Sequence, residues 1–234
     1  MHANVALCTF CHYFESLVSF QTTVFMNTFS VYSVVFDLGG VLLRWNPAEI
    51  INNLFPDETT RSVVRREIFQ HPDWLDMDRG VLLEQDAIHR FQKRTGCSLA
   101  DMARLLQTVK DSLQPIEKTH EILEQLSQHK VPLYCLSNMP ATTADYLRAR
   151  YAFFRLFHGI VISGEINLLK PDKAIFAHLI ERFGLVPEKT IFIDDSLANI
   201  ESAAALGFKT HHFTDPDACR QALRSQFGFG DALG

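Results

Sequence analysis

Four short signatures carry residue types that could do chemistry together: Asp37 at the end of one apolar run, Ser137-Asn138 at the end of another, Asp194-Asp195 at the end of a third, and Lys170 just ahead of Pro171. Taken singly, each has an ordinary structural account. Asp is a common turn former, Ser137 or Asn138 can cap a helix, and Asp195 suits a helix N-terminus electrostatically. Taken together, they set three carboxylates against one ammonium. Crowded carboxylates either take up protons or hold a cation. Oxygen ligands with open positions suit Mg²⁺, which keeps several waters and accepts a phosphate oxygen, so Asp37 with Asp194 and Asp195 is a candidate Mg²⁺ site. A carboxylate nucleophile at such a site would form a covalent acyl-phosphate. Mg²⁺ and Lys170 would neutralise the phosphoryl oxygens, while Ser137 and Asn138 donate hydrogen bonds to them.

These groups can meet only if the elements that carry them end at one place. The run Ser33-Val34-Val35-Phe36-Asp37-Leu38-Gly39-Gly40 reads as a buried parallel strand opening into a loop at Asp37. From Pro115 onward, strands and helices alternate. The strands fall at residues 131–136, 159–163, 190–195 and 208–213, with Pro132 confined to the start of the first, where no ladder donor is needed. Helices are predicted around residues 144–154 and 197–206, in a last stretch to about Phe227, and with Ile122, Leu123 and Leu126 or Ile175, Phe176, Leu179, Ile180 and Phe183 facing inward. This pattern specifies an α/β fold, a doubly wound Rossmann-like parallel sheet. Right-handed crossovers bring the strand ends to one edge, where ligands of open sheets bind. Lys170 fits that placement, because a cation beside a helix N-terminus opposes the macrodipole unless an anion stands in front of it.

Between the first strand and about Leu113 the strand signals stop. Ala48, Ile51, Leu54 and Phe55 share one helical face, as do Leu99, Met102, Leu105, Leu106 and Val109. Ser98 and Asp101 form a capping-box pattern, and Gly96 can close the helix that holds Ala87, Ile88 and Phe91. Residues 47–113 are therefore read as an inserted α-helical cap on a core of residues 31–46 and 114–234. Within the cap, His71-Pro72-Asp73-Trp74 and Asp78-Arg79-Gly80 read as helix-breaking connections, a class that includes loops held over a site.

Composition narrows the function classes. The chain has 234 residues, 47% of them hydrophobic, with a formal net charge of -5 and no block of Lys/Arg, which argues against a nucleic-acid partner and for a small molecule. Nothing reaches the ~18 apolar residues of a membrane span. Five scattered cysteines, Cys8, Cys11, Cys97, Cys135 and Cys219, read as reduced thiols of a cytoplasmic protein. Residues 1–30 are read as an extension outside the core. Its Cys8-Thr9-Phe10-Cys11-His12 matches a haem-attachment pattern and, with His2, offers zinc-ligand types, although a chance pair of thiols is favoured.

In this order the signatures resemble the four motifs of the haloacid dehalogenase superfamily of hydrolases: Val34-Val35-Phe36-Asp37-Leu38-Gly39-Gly40-Val41, Leu136-Ser137-Asn138, Lys170-Pro171, and Phe192-Ile193-Asp194-Asp195-Ser196 with Asn199-Ile200. The resemblance covers about residues 33–213. It implies Asp37 as nucleophile, Ser137 with Asn138 as the phosphate-binding position, Lys170 as charge clamp, and Asp194 and Asp195 as magnesium acids, with the Gly39 carbonyl as a further metal ligand. Asp-Leu-Gly-Gly, Trp45-Asn46-Pro47 and Asp78-Arg79-Gly80 look most like the branch that includes glucose-1-phosphate phosphatases. A Mg²⁺-dependent phosphomonoester hydrolase acting on a small phosphorylated metabolite, with a sugar phosphate as candidate, is the expectation.

One departure matters. Most phosphatases of the superfamily carry a second Asp two residues after the nucleophile, which protonates the leaving oxygen and then activates water; here that position is Gly39. General acid-base help is worth about 10²–10⁴ in rate, so its loss predicts a slow enzyme, a preference for good leaving groups, or a donor borrowed from the cap. His71, Asp73, Asp78 and Arg79 are the candidates for that donor. The same gap occurs in 2-haloacid dehalogenases, which use no metal, and it also motivates a non-catalytic phosphate-ligand binding protein; these are the two alternatives.

Overall fold

The first strand sets the architecture. In the computed structural model, which describes residues 32–234, β1 (Ser33–Phe36) is buried along its whole length. It pairs in parallel with β2 (Leu133–Ser137) on one side and β4 (Thr190–Asp194) on the other. With β3 (Gly159–Ile162) and β5 (Lys209–His212) the sheet runs β3-β2-β1-β4-β5, all parallel. A strand with neighbours on both sides and helices on both faces has no wet side, which is why β1 reads as a continuous apolar run. Its side chains still alternate. Val34 and Phe36 join Leu133, Cys135, Ile191 and Ile193 in one core, while Val35 joins Leu136 and Phe192 in the other.

Helices cover both faces. Ile122, Leu123 and Leu126 of α6 (Glu117–Gln128) and Leu223 of α11 (Pro216–Ser225) close the first core. The second is closed by Ile175, Phe176 and Leu179 of α9 (Lys173–Phe183) and by Ile200 and Ala203 of α10 (Leu197–Ala204). The helix predicted over residues 144–154 is instead α7 (Ala141–Arg150) followed by a 3₁₀ turn at Ala152–Leu156. A four-residue helix, α8 (Ser163–Ile166), follows β3.

Between β1 and α6 lie α1 (Pro47–Leu54), α2 (Glu58–Val64), α3 (Pro72–Arg79), α4 (Glu84–Thr95) and α5 (Leu99–Ser112), with a π-helical turn at Arg65–Phe69. They share a core of their own, with Ile51, Ile68, Phe91, Met102 and Leu105 wholly buried. The Ser98-Asp101 capping box opens α5 and Gly96 closes α4, as predicted. Two face assignments change. Ala48 is exposed and Ile50 is buried in its stead, and Leu99 is exposed because it sits in the first turn of α5, short of the core. The stretches read as connections are also different: His71-Pro72-Asp73-Trp74 begins α3, and Asp78-Arg79-Gly80 ends it. Proline at the first helical position lacks only an N–H that has no partner there, so Pro72 starts the helix. Gly80, at φ 81°, stops it.

Among the described residues no helix is long and apolar enough to cross a membrane. The stretch from Cys8 to His12, with His2 and the rest of the N-terminal extension, lies outside the described residues.

Candidate active site

The β1 register delivers the first carboxylate. Phe36 is level with Cys135 and Ile193, so Asp37 is the first residue past the paired region, its N–H still bonded to the Ile193 carbonyl at 2.9 Å. Chain order reverses here: β2 and β3 lie to one side of β1, β4 and β5 to the other. The crevice above such a switch point is where open α/β sheets hold ligands. Asp37, Ser137, Asn138, Lys170, Asp195 and Gly39 all line a cavity of about 250 Å³ at this place.

Lys170 ties the edge together. Its buried Nζ donates to Asp194 Oδ2 at 2.6 Å and to the Leu136 carbonyl at 2.9 Å, and it pairs with Asp37 Oδ1 at 2.9 Å. An ammonium has three protons, and all three find acceptors. Burial alone would pull this lysine down, yet Asp37 and Asp194 hold its proton well above the ordinary lysine range. Asp194 is engaged at its other oxygen too, by the Ser196 N–H at 2.8 Å and Asn199 Nδ2 at 2.9 Å. Asn138 uses its amide differently from the expected phosphate donor: Nδ2 donates to the Lys170 carbonyl and Oδ1 accepts from the Lys170 N–H, both at 2.9 Å. It lines the cavity while fixing the backbone that carries the ammonium.

Asp37 keeps one oxygen free. Oδ1 takes Lys170 and the Leu38 N–H at 2.7 Å, whereas Oδ2 has no protein donor among the described residues. Burial, opposed by Lys170 and reinforced by the charges of Asp194 and Asp195, lifts Asp37 to about 7. Burial and then Asp194 also raise exposed Asp195, whose carboxylate has no ion pair, and no donor from another residue, among the described residues. Carboxylate oxygens of Asp37, Asp194 and Asp195 come within 4.8 Å of one another. The edge thus carries more negative charge than Lys170 offsets. Close beside it, Gly40 has φ 81°, and a Cβ there would stand 2.2 Å from Asp195 Oδ2, so the turn that presents this carboxylate needs a glycine.

A further part of the lining comes from the helices inserted after β1 and the residues that flank them, and it is largely apolar. Trp45, Trp74, Met77, Leu106, Val109 and Leu113 line it, and Trp45, Phe69 and Trp74 form an aromatic cluster with ring centroids 4.6–6.3 Å apart. Its polar members are mostly spoken for. Glu84 accepts from Lys110 at 2.8 Å through each oxygen and from Thr142 at 2.8 Å. Neither this pair, 26 residues apart, nor the aromatic wall is legible as a pattern in the chain.

Of the four acid-base candidates in this segment, the fold brings only Asp78 to the cavity. Asp73 is buried against Arg94 at 2.7 Å and Arg90 at 3.1 Å. His71 caps α3 through Nδ1, and Arg79 lies out at Asp172, 3.9 Å away. The Asp78 carboxyl has no hydrogen bond or ion pair among the described residues, and burial, with the charge of Asp37 second, lifts it to about 7.

The comparisons agree with the class this geometry defines. Residues 33–207 match the family model of haloacid dehalogenase-like hydrolases, and the chain belongs to that family. It is 28% identical over 196 residues to a sesquiterpene phosphatase of Aspergillus oryzae, spanning 84% of this chain and 96% of the relative. A phosphorylated carbohydrates phosphatase of Thermotoga maritima is 22% identical over 204 residues, 81% of this chain and 90% of that one. Among solved structures, a haloacid dehalogenase family enzyme of Bacteroides thetaiotaomicron, in complex with magnesium and inorganic phosphate, shares the fold. The TM-score is 0.65 at 22% identity, over 79% of this chain and 94% of that one.

Proposed function

We propose that the protein is a Mg²⁺-dependent phosphomonoester hydrolase that works through phospho-Asp37. The observation that carries this reading is the Asp37 carboxylate, which lines the cavity: one oxygen is clamped by Lys170 and the Leu38 N–H, while the other has no donor among the described residues. A clamped carboxylate with one free oxygen is oriented for in-line attack on phosphorus. Attack by Oδ2 forms the Asp37–phosphorus bond and breaks the ester P–O bond, and the leaving oxygen departs with a proton as the alcohol. Water then displaces phosphate from Asp37 and regenerates the carboxylate. Lys170 and Ser137 line the same cavity, where they would meet the transferred oxygens.

The donor set suits Mg²⁺. Among the described residues Asp37 Oδ2 has no donor, the Asp195 carboxylate takes none from another residue, Asp194 stands beside them, and the Gly39 carbonyl accepts no hydrogen bond. Such oxygen-only ligands match a hard cation that retains water. When bound, Mg²⁺ supplies the positive charge that the edge lacks and draws charge from the phosphoryl oxygens. The relative solved with magnesium and phosphate supports the same reading.

The helices α1–α5 act as a cap that contacts the alcohol. In place of the sugar phosphate suggested by the sequence, the wall built by Trp45, Trp74, Met77, Leu106, Val109 and Leu113 favours an alkyl, prenyl or aryl alcohol, because a sugar would leave its hydroxyls facing carbon. The test is phosphate release from prenyl, alkyl, aryl and sugar phosphates, each with Mg²⁺ and with EDTA. Metal-dependent turnover that favours the apolar esters is expected. Activity that survives EDTA would overturn the metal assignment, and a preference for sugar phosphates would overturn the substrate class.

A further inference from the structure

We propose that Asp78, reaching across from the helical cap, is the general acid and base that the Gly39 position lacks. The proposal rests on the phosphomonoesterase reading above, and three structural observations carry it.

The first is position. Asp78 lines the same cavity as Asp37 but is carried by α3 of the inserted helices and not by the sheet edge, so a phosphate ester held at Asp37 has this carboxyl in its own cavity. No hydrogen bond joins the two carboxyls, and the charge of Asp37 acts on Asp78.

The second is the way Asp78 is held. Its backbone carbonyl accepts from Ser163 Oγ at 2.5 Å, and Ser163 Oγ in turn accepts from the Met139 N–H at 2.9 Å. Two residues on, Gly80 lies so close to the core that a Cβ would stand 2.4 Å from the Gly164 carbonyl. The last turn of α3 is therefore docked on the ends of β2 and β3 by contacts that admit no larger residue. A carboxyl on that turn is fixed relative to Asp37, as proton transfer requires.

The third is the lack of a competing partner. The acids around α3 are mostly paired: Asp73, the other buried carboxyl of the helix, and Glu67 with Arg94, Glu84 with Lys110, and Glu165 with Arg148; Asp76 and Asp86 make no ion pair among the described residues but reach solvent. Of the two buried carboxyls between residues 47 and 113, Asp73 is paired, whereas Asp78, 8% exposed, has no cation or donor among the described residues. A buried carboxyl left without a partner favours its protonated form, the form an acid needs before the first step.

The step balances. As Asp37 Oδ2 bonds to phosphorus and the ester P–O bond breaks, the Asp78 proton passes to the leaving oxygen, giving the alcohol and the Asp78 carboxylate. In the second step that carboxylate takes a proton from water as the water oxygen attacks phosphorus. The P–O bond to Asp37 breaks, phosphate leaves, and Asp78 is protonated again.

Two substrates separate this role from a structural one. p-Nitrophenolate leaves without a proton, whereas an alkoxide does not. In Asp78→Asn, p-nitrophenyl phosphate should give a rapid burst of about one p-nitrophenol per enzyme and then slow turnover, because only the water step needs the base. An alkyl phosphate should give no burst, with turnover down about 10²–10⁴-fold. A second variant guards against mere damage. A Cβ at Gly39 would meet nothing closer than Trp45 Cβ at 3.8 Å, so Asp78→Asn combined with Gly39→Asp should recover turnover. Equal losses on both substrates with no burst and no recovery, or unchanged turnover in Asp78→Asn, would overturn the role of Asp78. If the wild type itself releases no phosphate from either substrate, the phosphomonoesterase reading fails first.

Discussion

The sheet edge and the cap face each other across one cavity and treat charge in opposite ways. At the edge, the Lys170 ammonium is saturated by Asp37, Asp194 and the Leu136 carbonyl, and Asp194 is hydrogen-bonded at both oxygens. Among the inserted helices, buried Asp73 is paired with Arg90 and Arg94, while buried Asp78 has no partner among the described residues. The difference matches two kinds of work. Groups that must stabilise a fixed charge are worth most when their dipoles and counter-charges are already in place. A group that must gain and lose a proton is disabled by a permanent counter-ion, which would hold it in one form.

The largest break in this comparison comes at the edge. Asp37→Asn removes the nucleophile while keeping its shape, so multiple turnover should vanish in a phosphate-release assay and the far-UV spectrum should be unchanged; residual turnover near the wild-type rate would refute the covalent route. Next is Lys170→Met. Removing one partner from a buried ion pair typically costs about 3–5 kcal/mol, because the remaining charge has no solvent. Urea unfolding in EDTA should show a loss of that order, and a change within error would mean that the edge does not depend on its ammonium.

Smaller effects sharpen the cap side. Trp74→Ala opens the apolar wall, and losing a large aromatic contact of roughly 1.5–3 kcal/mol should raise KM for a prenyl or aryl phosphate by about tenfold or more. The same variant should leave the KM of a short alkyl phosphate nearly unmoved, and equal changes would place the alcohol elsewhere. The smallest effect is on stability. The Asp78 carboxyl has its ordinary value, 3.8, in the unfolded chain and about 7 in the folded one. Between those values the folded protein binds more protons, so this group destabilises the fold increasingly as pH rises, fully so above about 7. Asp78→Asn lacks that penalty. Its melting temperature should therefore exceed the wild type's at about pH 8, and the gap should narrow toward about pH 5. An opposite trend would show that Asp78 is ionised and compensated in the fold.

Much of the core was legible because its signals are local. An apolar run ending in Asp37, the later strands closing on Ser137 and Asp194, and helices between them imply a parallel sheet, and β1 pairs as that pattern requires. The position of Lys170 before a helix pointed to an anion ahead of it, and Asp37 and Asp194 are there. The cap was less legible. Ala48 and Leu99 kept the right period but lay at helix ends beyond the core, and Pro72, read as a breaker, begins a helix. Asn138 had the chemistry of a phosphate donor, yet its amide is occupied by the Lys170 backbone 32 residues away.

Sequence by itself determined the fold class, the family and the order of acidic and basic groups along one sheet edge, because strand period, strand-end residues and crossover handedness are properties of neighbouring residues. Only the tertiary structure decided which acid of the inserted helices lines the cavity of Asp37. Asp73 and Asp78 are five residues apart on one helix, but one is locked by Arg90 and Arg94 while the other opens into the cavity. That choice is made by the seating of Gly80 on Gly164 and by the Ser163 bond to the Asp78 carbonyl, contacts between residues more than eighty positions apart. Burial and pairing at that range depend on how two separately formed cores dock, and no local pattern in the chain encodes it.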